Sequence, residues 1–413
     1  MYCFVKLVMD ITFVFLHSGQ IQAVSWILVP VQVARSSVGK ITTLIELIRS
    51  IVRIFAAKTG TMSNFSSLKI KEVIRETPQA VSLAFEIPDN LESEFSYKAG
   101  QYITVKTKIG DTEIRRAYSL CSAPHEEDFK VTVKEVKDGK FSVLANNKLK
   151  AGDILEVHPP EGRFIFEPSE ETNGRTYAAF AAGSGITPVI SILKSVLETE
   201  PKSRFILVYG NKTPGETIFF KELLELQLKN PGRLFIEFVY SRSKEDASHY
   251  GRIDKSTVNF IVKNKFKMES FEKFYLCGPE ELINQVSEVL GENGIPKERI
   301  AFELFNLDLN EESGVEAEAS GTSEVTVILD DEEITFKLEE GQTILDGALD
   351  QGLDAPYSCQ GGICSSCVGR ITKGSAKMKR NAILVDSEIE EGLTLTCQAV
   401  PTTPSITLDY DDV

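Results

Sequence analysis

Cys359, Cys364 and Cys367 are spaced C-x4-C-x2-C, and after 29 intervening residues Cys397 adds one more cysteine. This pattern constrains the chain more than any other feature, because it is the spacing of a plant-type [2Fe–2S] cluster. Four thiolates also suit structural zinc, but zinc ribbons and fingers pair their ligands in two separate short knuckles. Here three ligands share the loop Cys359-Gln-Gly-Gly-Ile-Cys-Ser-Ser-Cys367 and the fourth stands alone. Gly361 and Gly362 allow positive φ and close backbone approach, and the small Ser365 and Ser366 leave backbone N–H groups free to point at sulfide. One-electron transfer is the chemistry such a loop implies.

A chain of 413 residues has material for two to four domains with substantial cores. Of its seven cysteines, four belong to the cluster pattern; Cys3, Cys121 and Cys277 remain, without disulfide-like spacing. That usage fits a reducing compartment, so a cytoplasmic location is expected. The net charge of −15 is uneven: residues 1–61 carry six basic and two acidic side chains, whereas Ser323–Val413 carries 17 acidic and six basic ones. Nucleic-acid binding is therefore not expected, and the acidic C-terminal part suits a basic surface on an electron partner or simply favours solubility.

Residues 1–61 differ from the rest. Ile11–Ala34 lacks formal charge over 24 residues, but His17-Ser-Gly-Gln-Ile-Gln22 interrupts it and Pro30 follows, so it makes a poor transmembrane helix. Ile41–Ala57 has the two-sided pattern of an interfacial helix. Met62-Ser-Asn reads equally as an ordinary start, with the preceding segment taken from too early a codon. Membrane contact is expected only if residues 1–61 belong to the working protein.

From Leu68 the chain reads as six strands: Leu68–Thr77, Ala80–Ile87, Gln101–Lys108, Glu113–Ser119, Lys130–Val136 and Ile154–His158. Six strands in this length predict an antiparallel β-barrel over residues 62–168. Residues 169–306 alternate strands and helices, which predicts a doubly wound α/β domain. Residues 307–322 are acidic and poor in large apolar side chains, as in a linker. Residues 323–413 open with a hairpin pattern, Glu324–Leu329 and Ile334–Leu338, then a helix at Thr343–Gln351 and the cysteine loop, an α+β unit.

Arg116-Ala-Tyr118-Ser119 lies on a predicted strand. Alternation puts Arg116 and Tyr118 on one face, so a guanidinium able to pair with pyrophosphate lies beside a ring able to pack on a flavin. Gly139-Lys-Phe-Ser142 opens a helix, where N–H groups and a hydroxyl suit a second phosphate, although it also reads as an ordinary cap. Ala181-Ala-Gly183-Ser184-Gly185-Ile-Thr187-Pro188 joins an apolar strand to a helix and suits a pyrophosphate, but it is not the G-x-G-x-x-G fingerprint. Cys277-Gly278-Pro279 ends a further parallel strand; Cys277 either meets a nicotinamide or is an inert buried thiol. Ser241 and Arg242 can offer a hydroxyl and a guanidinium to a 2′-phosphate, favouring NADPH, or they form a solvated turn.

In this order, R-A-Y-S, G-K-F-S, G-S-G-I-T-P, C-G-P-E and the cysteine loop resemble the ferredoxin–NADP reductase superfamily with a fused plant-type ferredoxin. Within it, Leu68–Val413 is most similar to the reductase subunits of phenylacetyl-CoA epoxidases, with Tyr209-Gly-Asn211, Gly251-Arg-Ile253 and Phe302-Glu-Leu-Phe305 adding to the likeness. The resemblance implies a flavin barrel, a nucleotide domain and a β-grasp ferredoxin domain. It implies FAD, with Arg116 at its pyrophosphate, Tyr118 and Ser119 at the isoalloxazine and Gly139–Ser142 at the phosphate end; related phthalate dioxygenase-type reductases use FMN. It implies NADPH across Gly183–Pro188 and Cys277–Pro279, and the four cysteines as cluster ligands. Tyr118, Ser119 and Cys277 would then flank hydride transfer, and a di-iron oxygenase of epoxidase type would accept the electrons. A general ferredoxin-, flavodoxin- or Rieske-type reductase is the alternative, and a non-catalytic redox-sensing module a more remote one. Residues 1–61 have no counterpart in the family.

Overall fold

The computed structural model describes residues 14–17, 20–23, 65–169, 174–267, 269–305 and 322–413. It divides into two units, Met1–Met62 and Ser63–Val413. In the first, β1 (Val14–His17) pairs antiparallel with β2 (Gln20–Ala23), so the described part of the uncharged stretch is a hairpin rather than a helix. The interfacial helix expected over Ile41–Ala57 lies outside the described residues, as does the acidic linker apart from Thr322. Among the described residues no helix is long and apolar enough to cross a membrane.

The second unit is built on three main sheets. The first is antiparallel and contains β3 (Ser66–Thr77), β4 (Ala80–Glu86), β5 (Tyr102–Ile109), β6 (Thr112–Ser119), β7 (Phe129–Lys134) and β8 (Ile154–Val157), in the order β6-β5-β8-β3-β4-β7. A Leu120–Val131 bridge joins the end of β6 to β7, so the two edges meet as a barrel. Period-2 alternation turns Leu68, Ile70, Leu83, Ile103, Val105, Val131 and Val133 fully inward. Helix α1 (Lys140–Asn147) adds Phe141 and Ala145 to that core.

The second sheet is wholly parallel: β9 (Thr176–Ala182), β10 (Arg204–Asn211), β11 (Leu234–Tyr240), β12 (His249–Tyr250), β13 (Phe271–Gly278) and β14 (Ile300–Leu304), in the order β12-β11-β10-β9-β13-β14. Helices α2 (Ile186–Thr199) and α3 (Phe220–Lys229) bury their apolar sides on one face. On the other pack α4 (Lys255–Asn259), which runs into a π-helical turn, and α5 (Glu280–Glu292). Strands buried on both faces read as apolar runs, which is why β9, β10 and β13 are legible in sequence. The two-residue β12 and the half-exposed edge strand β14 are not. Strand order reverses between β9 and β13, and the carboxyl ends there form a topological switch point, where such sheets bind ligands.

The third sheet mixes β15 (Ser323–Leu329), β16 (Glu332–Leu338), β17 (Val368–Lys373), β19 (Leu393–Leu395) and β21 (Ser405–Asp409), in the order β16-β15-β21-β17-β19, with β15 and β21 parallel. Helix α6 (Ile344–Asp350) packs Ile344, Leu345 and Ala348 on it, a β-grasp arrangement. The small pair β18 (Ala376–Met378) and β20 (Ala399–Pro401) and helix α7 (Asp386–Glu390) lie beyond the cysteine loop. The predicted four-residue hairpin turn is shorter in the structure. Asp330 and Asp331, at φ 55° and 62°, make a two-residue turn of the primed type, and Asp411 accepts both their N–H groups.

Candidate functional site

The carboxyl ends of β9 and β13 open onto one continuous cleft of about 1330 Å³. That exceeds the roughly 300–1,000 Å³ of an ordinary single-ligand pocket. Its wall includes Arg116, Tyr118 and Ser119 from β6, Gly139 and Ser142 at the start of α1, and Gly183, Ser184 and Thr187 after β9. Ser241 after β11, Gly278 and Pro279 after β13, and Cys359 and Cys364 of the cysteine loop complete the set. Of the other residues singled out in the sequence, Gly185, Pro188, Arg242, Cys277, Cys367 and Cys397 do not line it.

On the barrel wall two adjacent arginines take opposite roles. Arg116 is exposed on the cleft side and donates to the Arg115 carbonyl at 2.7 Å. Arg115 is buried and turns to the segment between α6 and the cysteine loop, where it donates to Asp354 at 2.6 Å and lies 4.4 Å from the Tyr357 ring. Tyr118 packs on Phe141 of α1 with centroids 5.4 Å apart, which places the start of α1 beside the ring. The Ser142 hydroxyl accepts the Val136 N–H at 3.3 Å.

On the nucleotide wall, Gly183 adopts φ 56° and its carbonyl accepts from Tyr209 Oη at 2.9 Å. Thr187 Oγ1 donates to the Ser184 carbonyl at 3.0 Å. A Cβ on Gly185 would lie 2.1 Å from the Cys277 carbonyl oxygen, so turn and strand touch backbone to backbone. Two residues to which the sequence reading gave no ligand role join this wall. Asn211 has a buried Nδ2 with no partner among the described residues. Lys134, at the end of β7, sits with Nζ 3.3 Å from where a Gly183 Cβ would stand, and burial and Lys212 draw its pKa down. An orphaned amide donor and a half-buried lysine beside a glycine turn fit a phosphate-bearing ligand.

Between the two walls, Ser119 hydrogen-bonds Glu303 at 3.1 Å. Glu303 is paired in register with Cys277 on the neighbouring strand. Burial lifts the Glu303 carboxyl to about 8, so it holds a proton at neutral pH. Cys277 is fully buried and its thiol is pushed well up, first by burial and then by Glu303. A thiol so placed stays protonated at neutral pH. Glu303 belongs to none of the nucleotide motifs read as ligand-binding, yet it carries a visible signal, a single acid inside the apolar strand Ile300–Leu304.

The four cysteines stand as two electrostatically coupled pairs, Cys359 with Cys364, hydrogen-bonded at 3.0 Å, and Cys367 with Cys397. Among the described residues no three His, Cys, Asp or Glu side chains are drawn round one point as for a single ion. Two pairs instead fit a two-iron unit with two thiolates on each iron. Hydrogen bonds from the partner thiols lower Cys359, to about 6, and Cys397. The Gly361 N–H donates to Cys359 Sγ at 3.3 Å, and Ser358 Oγ is buried without a partner among the described residues. Positive φ falls on Gln360 and Gly362, at 54° and 72°, rather than on Gly361. A Cβ on Gly362 would meet the Arg380 carbonyl at 2.9 Å. The Ser365 N–H donates not toward the thiols but to Tyr102 Oη of the barrel, at 3.2 Å.

Three family models match consecutive stretches: an oxidoreductase FAD-binding domain over residues 67–166, an oxidoreductase NAD-binding domain over 180–288 and a 2Fe-2S iron-sulfur cluster binding domain over 327–402. The chain is similar to one of the subunits of the 1,2-phenylacetyl-CoA epoxidase of Escherichia coli (strain K12), with 35% identity over 354 residues that cover 85% of this chain and 99% of that protein. It is similar to the ferredoxin reductase component of 3-ketosteroid-9-alpha-monooxygenase of Rhodococcus rhodochrous, with 34% identity over 352 residues, 83% of this chain and 96% of that one. In fold it matches the solved structure of phthalate dioxygenase reductase with TM-score 0.53 at 24% identity, over 84% of this chain and 98% of that one.

Two expectations arise from this geometry. Gly185→Ala forces two backbones apart and should destabilise the protein by about 3 kcal/mol or more, read from denaturant unfolding. Glu303 releases its proton at about 4.5 when unfolded and about 8 when folded, so stability falls as pH rises through that window. Glu303→Gln should flatten this slope, as measured by melting temperature against pH.

Proposed function

The chain belongs to the ferredoxin–NADP reductase superfamily with a fused C-terminal [2Fe–2S] domain, and from that premise we propose that it carries electrons from NADPH through FAD and the cluster to an oxygenase. The observation that carries this reading is the single cleft whose wall is shared by the barrel, the switch point of the parallel sheet and the cysteine loop. When bound, the flavin would take a nicotinamide's two electrons together and release them singly to a cluster that carries one.

In this reading Arg116 and the N-terminus of α1 hold the flavin's phosphates, and Tyr118 packs on its ring. Gly183, Ser184, Thr187, Gly278 and Pro279 shape the nicotinamide nucleotide's seat, with Gly185, Pro188 and the buried Cys277 behind them. Lys134 and Asn211 meet its phosphates, and the Ser119–Glu303 pair holds a proton beside the reacting rings. Cys359, Cys364, Cys367 and Cys397 ligate the cluster. NADPH is favoured because the neutral Ser241 directly follows β11, where an acid would serve a free ribose hydroxyl, and Lys212 and Arg252, paired with Glu216 and Glu281, stand on the same wall. Arg242 does not line that wall, so the 2′-phosphate reading rests on the other three. The free, buried Cys121 and Cys277 support a cytoplasmic setting.

The acceptor we favour is a phenylacetyl-CoA epoxidase-type di-iron oxygenase, because the relative bearing that name aligns over nearly its whole length. A ketosteroid monooxygenase-type acceptor is the second reading, supported by an almost equal identity. Product formation with each purified oxygenase separates them.

Anaerobic NADPH titration should bleach the flavin and produce a rhombic S = 1/2 EPR signal, whereas bleaching without the signal rejects the cluster step. Cys364→Ser should abolish cytochrome c reduction and leave NADPH–ferricyanide activity; loss of both in a folded, flavin-loaded variant rejects the division of labour. Ser241→Asp should raise the KM for NADPH by about 10-fold or more through like-charge repulsion while leaving that for NADH nearly unchanged, as steady-state kinetics would show.

A further inference from the structure

We propose that Tyr102 is the positioning residue that holds the cysteine loop against the flavin wall for electron transfer from flavin to cluster, an inference that rests on the function proposed above. Tyr102 opens β5 and pairs in register with Ser119, while its neighbour Ile103 pairs with Tyr118. It is 4% exposed and its side chain forms part of the cleft wall. Its hydroxyl reaches Ser366 Oγ at 3.0 Å and Ser365 Oγ at 3.3 Å, and it accepts the Ser365 N–H at 3.2 Å. Those two serines are the whole sequence between Cys364 and Cys367. A single tyrosine thus joins the strand pair of the flavin wall to the short segment between two cluster ligands.

The neighbourhood leaves Tyr102 little freedom. Its backbone exchanges two hydrogen bonds of 2.9 Å with Glu161. The Glu161 carboxylate accepts from Ser366 Oγ at 2.7 Å, so both members of this barrel pair grip the same dipeptide. A Cβ on Gly162 would stand 2.9 Å from the Tyr102 ring, which leaves no room for the ring to swing toward it. The ion pairs between the third sheet's domain and its neighbours involve neither Ser365 nor Ser366: Arg115 with Asp354 at 2.6 Å, Arg163 with Glu388, and Arg380 with Glu280 at 2.5 Å. Those ion pairs anchor the domain as a body and Ile363 packs the first half of the loop into the parallel-sheet core, whereas the Tyr102 contact fixes the Ser365–Ser366 segment between two ligands. Electron-transfer rates fall steeply as the gap between donor and acceptor widens, so a loop displaced from this seat slows one step and spares the other. Tyr102 undergoes no change of charge or bonding in this role.

The test uses the full-length, cofactor-loaded protein and the variants Tyr102→Phe and Ser366→Ala, the second of which alters no residue on the cleft wall and removes the contact from the other side. In hydrogen–deuterium exchange, the Ser365–Ser366 amides of Tyr102→Phe should exchange several-fold faster than in the wild type. In anaerobic stopped-flow mixing with NADPH, cluster reduction should slow by about 10-fold or more in both variants, and flavin reduction in Ser366→Ala should keep its rate. Unchanged exchange together with unchanged cluster reduction overturns the proposal. Equal slowing of flavin and cluster reduction in Ser366→Ala also overturns it, because a merely structural role would act on both. If NADPH reduces no cluster in the wild type, the proposed function fails instead, and the exchange measurement still decides whether Tyr102 holds the loop.

Discussion

The contact on which the rest of the molecule depends is the one between the Gly185 backbone and the carbonyl of Cys277. It lets the turn after β9 lie directly on β13, so that the two strands at which the parallel sheet reverses direction open onto common ground. A side chain at position 185 would push the turn away and separate Gly183, Ser184 and Thr187 from Gly278 and Pro279. Cys277 is fully buried beside this contact, and Glu303, its partner in register on β14, is held protonated by its own burial.

The third domain reaches this site through contacts of different kinds. Buried Arg115 is held between Asp354, Glu113 and the Tyr357 ring. Ile363 enters the apolar core of the parallel-sheet domain together with Leu282 and Leu304. Exposed ion pairs such as Arg163–Glu388 contribute little in water, so orientation comes mainly from the buried contacts.

Much of the fold was legible in the sequence for a simple reason. Barrel strands alternate because one face is dry, and central parallel strands are uniformly apolar because both faces are. The strands that escaped notice, β12, β14 and the short ones after the cysteine loop, are two to six residues long or sit at an edge, where periodicity has too few turns to speak. The linear site motifs were legible for a comparable reason: a glycine turn before a helix, or three cysteines in nine residues, carries its geometry in its own backbone.

The sequence by itself determined the three-domain architecture, the four thiols and the glycine turns, because each depends on interactions local to its own segment. Only the tertiary structure decided that Arg115 docks the third domain, that Glu303 of the last parallel strand meets Ser119 of the barrel, and that Ser365 turns its N–H to Tyr102. The last two pairs lie 184 and 263 residues apart in the chain. Contacts at such separations arise from how finished domains pack, and no local pattern of residue types encodes them.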